Sequence, residues 1–191
     1  VGLVLVEGPT EEPISLAQAK THLRADHDDD DALIGGLIVA ARQLAENNMR
    51  RAIMPQTWRL SLDAFPVAGI VLPRPPLISV TSVSYLDAAG DRQVLAEGGY
   101  RVQTSALEAV VRPLYGQCWP QARRDSESVQ VEYRAGYADA AAVPAAIKQW
   151  LLLCIGTWYA NRESAASGKL EELPRGHWDA LLDAYRVWGY E

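Results

Sequence analysis

The chain has 191 residues and 49% hydrophobic content, enough for one domain, or one domain with an insertion, to bury roughly 70% of its unfolded surface. Its formal net charge is -6 and its isoelectric point about 5.1, which does not fit a dedicated nucleic-acid binder, since such proteins draw most of their affinity from neutralising phosphates. No apolar run approaches the ~20 residues of a membrane span. The opening V-G-L-V-L-V lacks a basic region and a cleavage site, so no signal peptide is expected and the protein is expected to be soluble and made in the cytoplasm.

In chain order, Ile14 to Ala19 carries a helix start. Ser15 and Gln18 have the spacing of a capping box, and Leu16, Ala19 and Leu23 share a face. A second helix is predicted from about Asp30 to Asn48, with Leu33, Ile34, Leu37, Ile38, Ala41 and Leu44 at helical spacing. Gly35 and Gly36 within it suggest a close crossing by another helix. After Pro55 the period changes to two: Trp58, Leu60 and Leu62 alternate with Thr57, Arg59, Ser61 and Asp63 as in a half-buried strand. Further strands are predicted at 69–72, 80–86, 92–95, 100–103, 109–112 and 129–134, with a turn at 87–90. Arg74-Pro75-Pro76 reads as a stiff extended connector.

The helical pattern returns at Pro144, a residue suited to a first helical turn. Ile147, Trp150, Leu151, Cys154, Ile155 and Trp158 recur at i, i+3, i+4, i+7, i+8 and i+11. This helix should be mostly buried, with Trp158 in the core, and Gly156 permits one close contact. A small-residue and charged loop at 164–174 precedes a last helix from about Gly176 to Trp188. The expected fold is α+β: residues 1–54 and 140–191 form one helical unit, and residues 55–138 an inserted antiparallel β module.

Chemistry-bearing residues are few. Asp26, Asp28, Asp29, Asp30 and Asp31 form the one dense carboxylate cluster. A calcium loop would need glycine where Asp31 stands and glutamate where Leu37 stands, so the cluster reads as helix capping and dipole compensation. His22, His27 and His177 are scattered without zinc spacing. No nucleophile elbow, phosphate loop or dinucleotide turn occurs, and no metal, cofactor or catalytic residue is assigned. Arg50-Arg51 and Arg123-Arg124 read as solvated loop pairs, or as partners for acidic surfaces of a neighbouring subunit. Cys118 and Cys154 are expected to be free thiols, with a disulfide left open. Six tryptophans and eight tyrosines against one phenylalanine favour positions packed at one end and wet at the other, including interfaces.

A set of segments carries a resemblance in order along the chain: P-I-S-L-A-Q-A-K-T-H-L-R (13–24), D-D-A-L-I (30–34), A-A-R (40–42), Q-T-W-R-L-S-L-D-A-F-P (56–66), L-P-R-P-P-L-I-S-V (72–80), V-E-Y-R-A-G-Y (131–137) and V-P-A-A-I-K-Q (143–149). Together they resemble the head–tail connector proteins of tailed phages and prophages, also called head-completion or adaptor proteins. The resemblance implies a structural virion protein of the neck. Its copies form a ring of about twelve beneath the portal protein, monomeric when free, that joins the DNA-filled capsid to the next neck or tail-completion protein. It carries no catalytic residues and implies no specific nucleic-acid binding and no membrane. The simplest members are small helical proteins, and the β segment here departs from them. The alternative is a small soluble bacterial enzyme or ligand-binding domain, which a deep pocket with convergent polar groups would favour.

Overall fold

A computed structural model describes residues 1–105, 107–161 and 175–187. Helices and antiparallel sheets divide the chain into two compact units: 1–10 with 55–138, and 11–54 with 139–191.

The first unit is all β apart from one short turn of helix. A five-stranded antiparallel sheet has the order β1 (Gly2–Glu7), β2 (Gln56–Leu62), β8 (Val129–Ala135), β4 (Leu77–Leu86), β5 (Arg92–Val94). A three-stranded sheet has the order β3 (Ile70–Leu72), β7 (Ala109–Pro113), β6 (Tyr100–Thr104). The period-two pattern decides which face is packed. Leu60, Val131 and Val83 stand in register and are buried, while Arg59, Glu132 and Ser82 stand in register on the opposite face. There Arg59 donates to Glu132 at 3.1 Å, a cross-strand ion pair of modest worth at an exposed site.

Two differences from the sequence reading are informative. Residues 1–10 belong with the sheets and not with the helices, because β1 pairs with β2 from Gly2↔Ser61 to Glu7↔Thr57. The connector at Arg74 is bent, not extended: Arg74 is left-handed at φ 60° and Pro75-Pro76 is cis. Its carbonyls are pinned, with Tyr133 Oη–H donating to the Pro73 carbonyl at 2.8 Å and Gly136 N–H to that of Pro76 at 2.8 Å. At Gly69, φ is +105° and a Cβ would lie 2.6 Å from Arg112 Cγ, so only glycine fits the entry to β3.

The second unit is a helical assembly of α1 (Leu16–Leu23), α2 (Asp31–Met49), α3 (Ala145–Ala160) and α4 (Arg175–Asp183). The α1 capping box forms in both directions: Ser15 Oγ accepts from Gln18 N–H at 3.2 Å, and Gln18 Oε1 accepts from Ser15 N–H at 2.9 Å. Helix α2 buries Ile34, Ile38, Ala41, Ala45 and Met49 and packs against α1, α3 and α4. Helix α3 buries Ile147, Trp150, Leu151, Cys154 and Ile155. Trp158, expected in the core, is only half-buried; the stripe ends one turn before it. Burial pushes the Cys154 thiol up to about 12, with Asp179 adding to the shift, so it behaves as a small apolar side chain. Gly156 does serve a close contact, since a Cβ there would lie 3.4 Å from His22 Nε2. Gly35 and Gly36 do not: nothing lies within 4 Å of a Cβ built at either. Trp188 and the 164–174 loop lie outside the described residues.

The end of α2 is held by buried charge. Arg42 donates to Glu12 at 2.8 Å and to Glu46 at 2.9 Å. The other oxygen of Glu46 accepts from Ile53 N–H at 2.9 Å. Arg51, read as half of a solvated pair, is 4% exposed and donates to the Tyr185 carbonyl at 3.0 Å.

Two outcomes are expected from urea titrations. Trp150, 2% exposed, should cost about 3–5 kcal/mol when replaced by alanine, whereas Trp158→Ala should cost less than about 2 kcal/mol. Glu46→Ala leaves the buried Arg42 with Glu12 alone and strands the Ile53 N–H, and should cost about 1–3 kcal/mol.

Candidate assembly surfaces

The acidic loop was the first candidate for a cation site. Lys20 occupies the position a cation would take, with its Nζ 2.5 Å from Asp28 and 2.7 Å from Asp31. These bonds hold the Asp28 carboxyl below its ordinary range and raise the lysine. Asp30 sits at the N-cap of α2 but makes no side-chain cap bond; its carboxylate accepts from Tyr159 Oη–H at 2.5 Å instead. The expected side-chain capping by Asp30 is thus replaced by a tie between α2 and the last turn of α3. His27 approaches Asp29 and Asp30 only at 3.9 and 4.0 Å. His22 lies against Gly156, and the His177 side chain is outside the described residues. Among the described residues, no three His, Cys, Asp or Glu side chains converge as a metal site.

An open groove of about 500 Å³ runs along the start of α1 and the near side of α2. Its walls include Pro13, Ile14, Gly35 and Ile38, with Glu11 and Glu12 at the rim. The absent side chain at Gly35 helps keep it open. Glu12 is already committed to Arg42, so the groove offers an apolar floor and an acidic lip, not a convergent set of acids and bases.

The β unit presents a different kind of surface at its loops. Trp119 stacks on Phe65 with ring centroids 4.7 Å apart and donates its Nε1–H to the Pro66 carbonyl at 3.0 Å. Phe65 also meets Tyr85 at 5.6 Å. This aromatic clamp joins the β2–β3 loop to the long β7–β8 loop. Each loop carries a large side chain wholly in solvent, Val67 at 99% and Tyr115 at 96% exposed. The Arg123-Arg124 pair lies in the second loop, where Arg123 approaches Asp125 at 3.5 Å. Cys118, in the same loop, is a free and exposed thiol, and Cys154 is free and buried. Sequence reasoning missed the clamp, because nothing in the spacing of Phe65, Tyr85 and Trp119 places them together. The excess of Trp over Phe was the only available signal. No helix of the described residues is long and apolar enough to cross a membrane.

Residues 13–84 match the family described as "Phage gp6-like head-tail connector protein". The match spans α1, α2 and the first strands after them, and so takes in part of each unit. No curated protein matches the chain. Among solved structures, the fold is similar to a chain from the virion of a native gene transfer agent (GTA) particle, with a TM-score of 0.83 at 24% identity, covering 100% of this chain and 98% of that one. A chain from the neck of an empty GTA particle computed with C6 symmetry gives 0.81 at 25% identity, with the same coverages of 100% and 98%. One from the neck of a native GTA particle computed with C12 symmetry gives 0.79 at 22%, again covering 100% and 98%. The β unit is therefore part of a fold that the GTA chains share over their full length. Over residues 13–84, the chain is thus similar to the phage gp6-like head–tail connector proteins.

Proposed function

We propose that this protein is a structural component of the virion neck, a head–tail connector whose copies form a ring beneath the portal and join the capsid to the next neck or tail component. The observation that carries this reading is a coincidence of two independent likenesses. The connector family matches 13–84, and the whole chain shares its fold with a GTA neck chain at 25% identity. The necks of those particles were computed with six-fold and twelve-fold symmetry, so a ring of about twelve copies is the assembly we assign here. Ring contacts are head-to-tail and need two different surfaces on each subunit. The groove, the loop tips and the outer faces of the helices provide surfaces of distinct chemistry. The portal is the partner on one side of the ring, and a neck or tail-completion protein on the other.

The test is reconstitution. Purified protein should sediment as a monomer at low concentration and close into rings, visible by electron microscopy, when portal is added. A protein that stays monomeric at high concentration and is not recruited by portal-bearing capsids would overturn the connector reading. A second outcome follows from charge. A passage for DNA must not hold it, and each phosphate contact strengthens binding through counterion release. With 18 basic against 24 acidic residues, the free subunit should bind duplex DNA only weakly, and without sequence preference, in an anisotropy titration at about 0.15 M salt. Nanomolar affinity with a steep salt dependence would instead mark a DNA-binding protein.

A further inference from the structure

Among the described residues, the bundle leaves one side of helix α2 partly exposed. Its buried stripe, Ile34, Ile38, Ala41, Ala45 and Met49, faces the neighbouring helices. At 100° per residue a second stripe, Leu33, Leu37, Ala40 and Leu44, lies roughly 110° round the helix from it, between Asn48 on one side and Gly36, Gln43 and Asn47 on the other. Leu33 and Leu44 are 40% and 39% exposed, and a Cβ at Gly36 would meet nothing within 4 Å. This outward face carries no charge. Arg42 and Glu46, the charged residues in the body of the helix, both point inward and are buried. A helix face that ends in water is ordinarily charged or polar along its length.

We propose that this face is one half of a head-to-tail contact between copies of this chain, so that its occupant is a second copy. The inference rests on the connector reading above and assigns the residues through which the ring closes. Charge argues for the occupant. Each copy carries a net charge of -6, so two copies approach at least cost through surfaces without carboxylates, and this face is one. Shape agrees: Gly36 and Ala40, one turn apart, leave room for a facing element to approach the α2 backbone. Area sets the strength. The 19 residues of α2 span roughly 28 Å at about 1.5 Å per residue. A strip of that length about 10 Å wide offers on the order of 300 Å², well short of the roughly 800 Å² per partner of a standard interface. The contact alone is too small to hold two free subunits together. It becomes effective when a template gathers copies in a circle, which fits a subunit that stays monomeric until the portal is present.

The experiment compares wild type with Leu33→Glu/Leu44→Glu, with the milder Ala40→Lys, and with Val94→Glu, at an exposed position of β5 in the other unit, as a control. Far-UV circular dichroism and thermal melts check the fold. If the double variant fails to fold, Ala40→Lys, at an exposed helix position, carries the test. Ring formation is followed by sedimentation and electron microscopy against concentration, with and without portal. The expected result is at least a ten-fold rise in the concentration needed for rings in both α2 variants, and none for Val94→Glu. Variants that assemble like wild type while wild type forms rings overturn this assignment and leave the connector reading standing. Wild type that never assembles removes both. Two further outcomes also overturn it. In one, single wild-type copies bind portal through this face without self-association; in the other, an Ala40→Cys variant oxidises to a two-fold dimer.

Discussion

The helical unit depends on keeping one carboxylate dry and fully used. Glu46 holds Arg42 with one oxygen and the Ile53 N–H with the other, and Arg42 reaches back to Glu12 ahead of α1. Three separate stretches of chain are thus fixed to one point inside the unit: the lead into α1, the body of α2, and the segment after α2. The last of these, Ala52, Ile53 and Met54, is almost completely buried and leads directly to the first strand of the β segment. A buried pair contributes little net stability over an apolar replacement, but it tolerates no partial loss and admits few alternative arrangements. Its value here is positional. It fixes where α2 stops, and so how the chain leaves the helices.

The ends of the helical unit are tied in the same manner. Arg51 and the Met49 carbonyl grip the chain after α4 at Tyr185 and Val187, and Trp150 couples α3 to α4 through Asp179 at 3.1 Å and through Trp178 at 6.1 Å between rings. The β unit uses aromatic stacking where the helical unit uses charge. Phe65 and Trp119 brace two loops that would otherwise move independently, so Val67 and Tyr115 project from ordered supports. A connector must present several contact surfaces at once and keep each in its place under load, and both devices serve that need.

Much of this was legible in the sequence, for reasons that differ by element. The period of α2 and α3 and the alternation in β2 and β8 follow from burial on one face, so the helices and the central strands could be read directly. The capping box at Ser15 is local chemistry and was equally plain. Strand β1 was not readable. V-G-L-V-L-V has no alternation, and only its pairing with β2, a partner some fifty residues away, makes it a strand. The glycines of α2 were misread because an absent Cβ can mean close packing or an open surface, and spacing does not distinguish them. Arg51 looked solvated because basic pairs at helix ends usually are; its acceptor is a carbonyl near the other end of the chain. The loop clamp was hidden for the same reason. The connector resemblance was visible in ordered short segments, and the structure adds that the β segment belongs to the shared fold.

The way the chain is threaded has a consequence for its synthesis. Both units are discontinuous: the β unit begins with residues 1–10 and resumes at 55, and the helical unit begins at 11 and resumes at 139. Emerging from the ribosome, β1 finds no partner until all of α1 and α2 has been made. Those helices in turn wait with their inner faces bare until the entire β segment has passed and α3 arrives. Neither unit can complete itself from a contiguous stretch, so closure is dominated by contacts between distant residues, which slows folding and leaves apolar surface open for longer. The nascent chain is therefore the form of this protein most exposed to aggregation and most in need of chaperones, however stable the finished subunit.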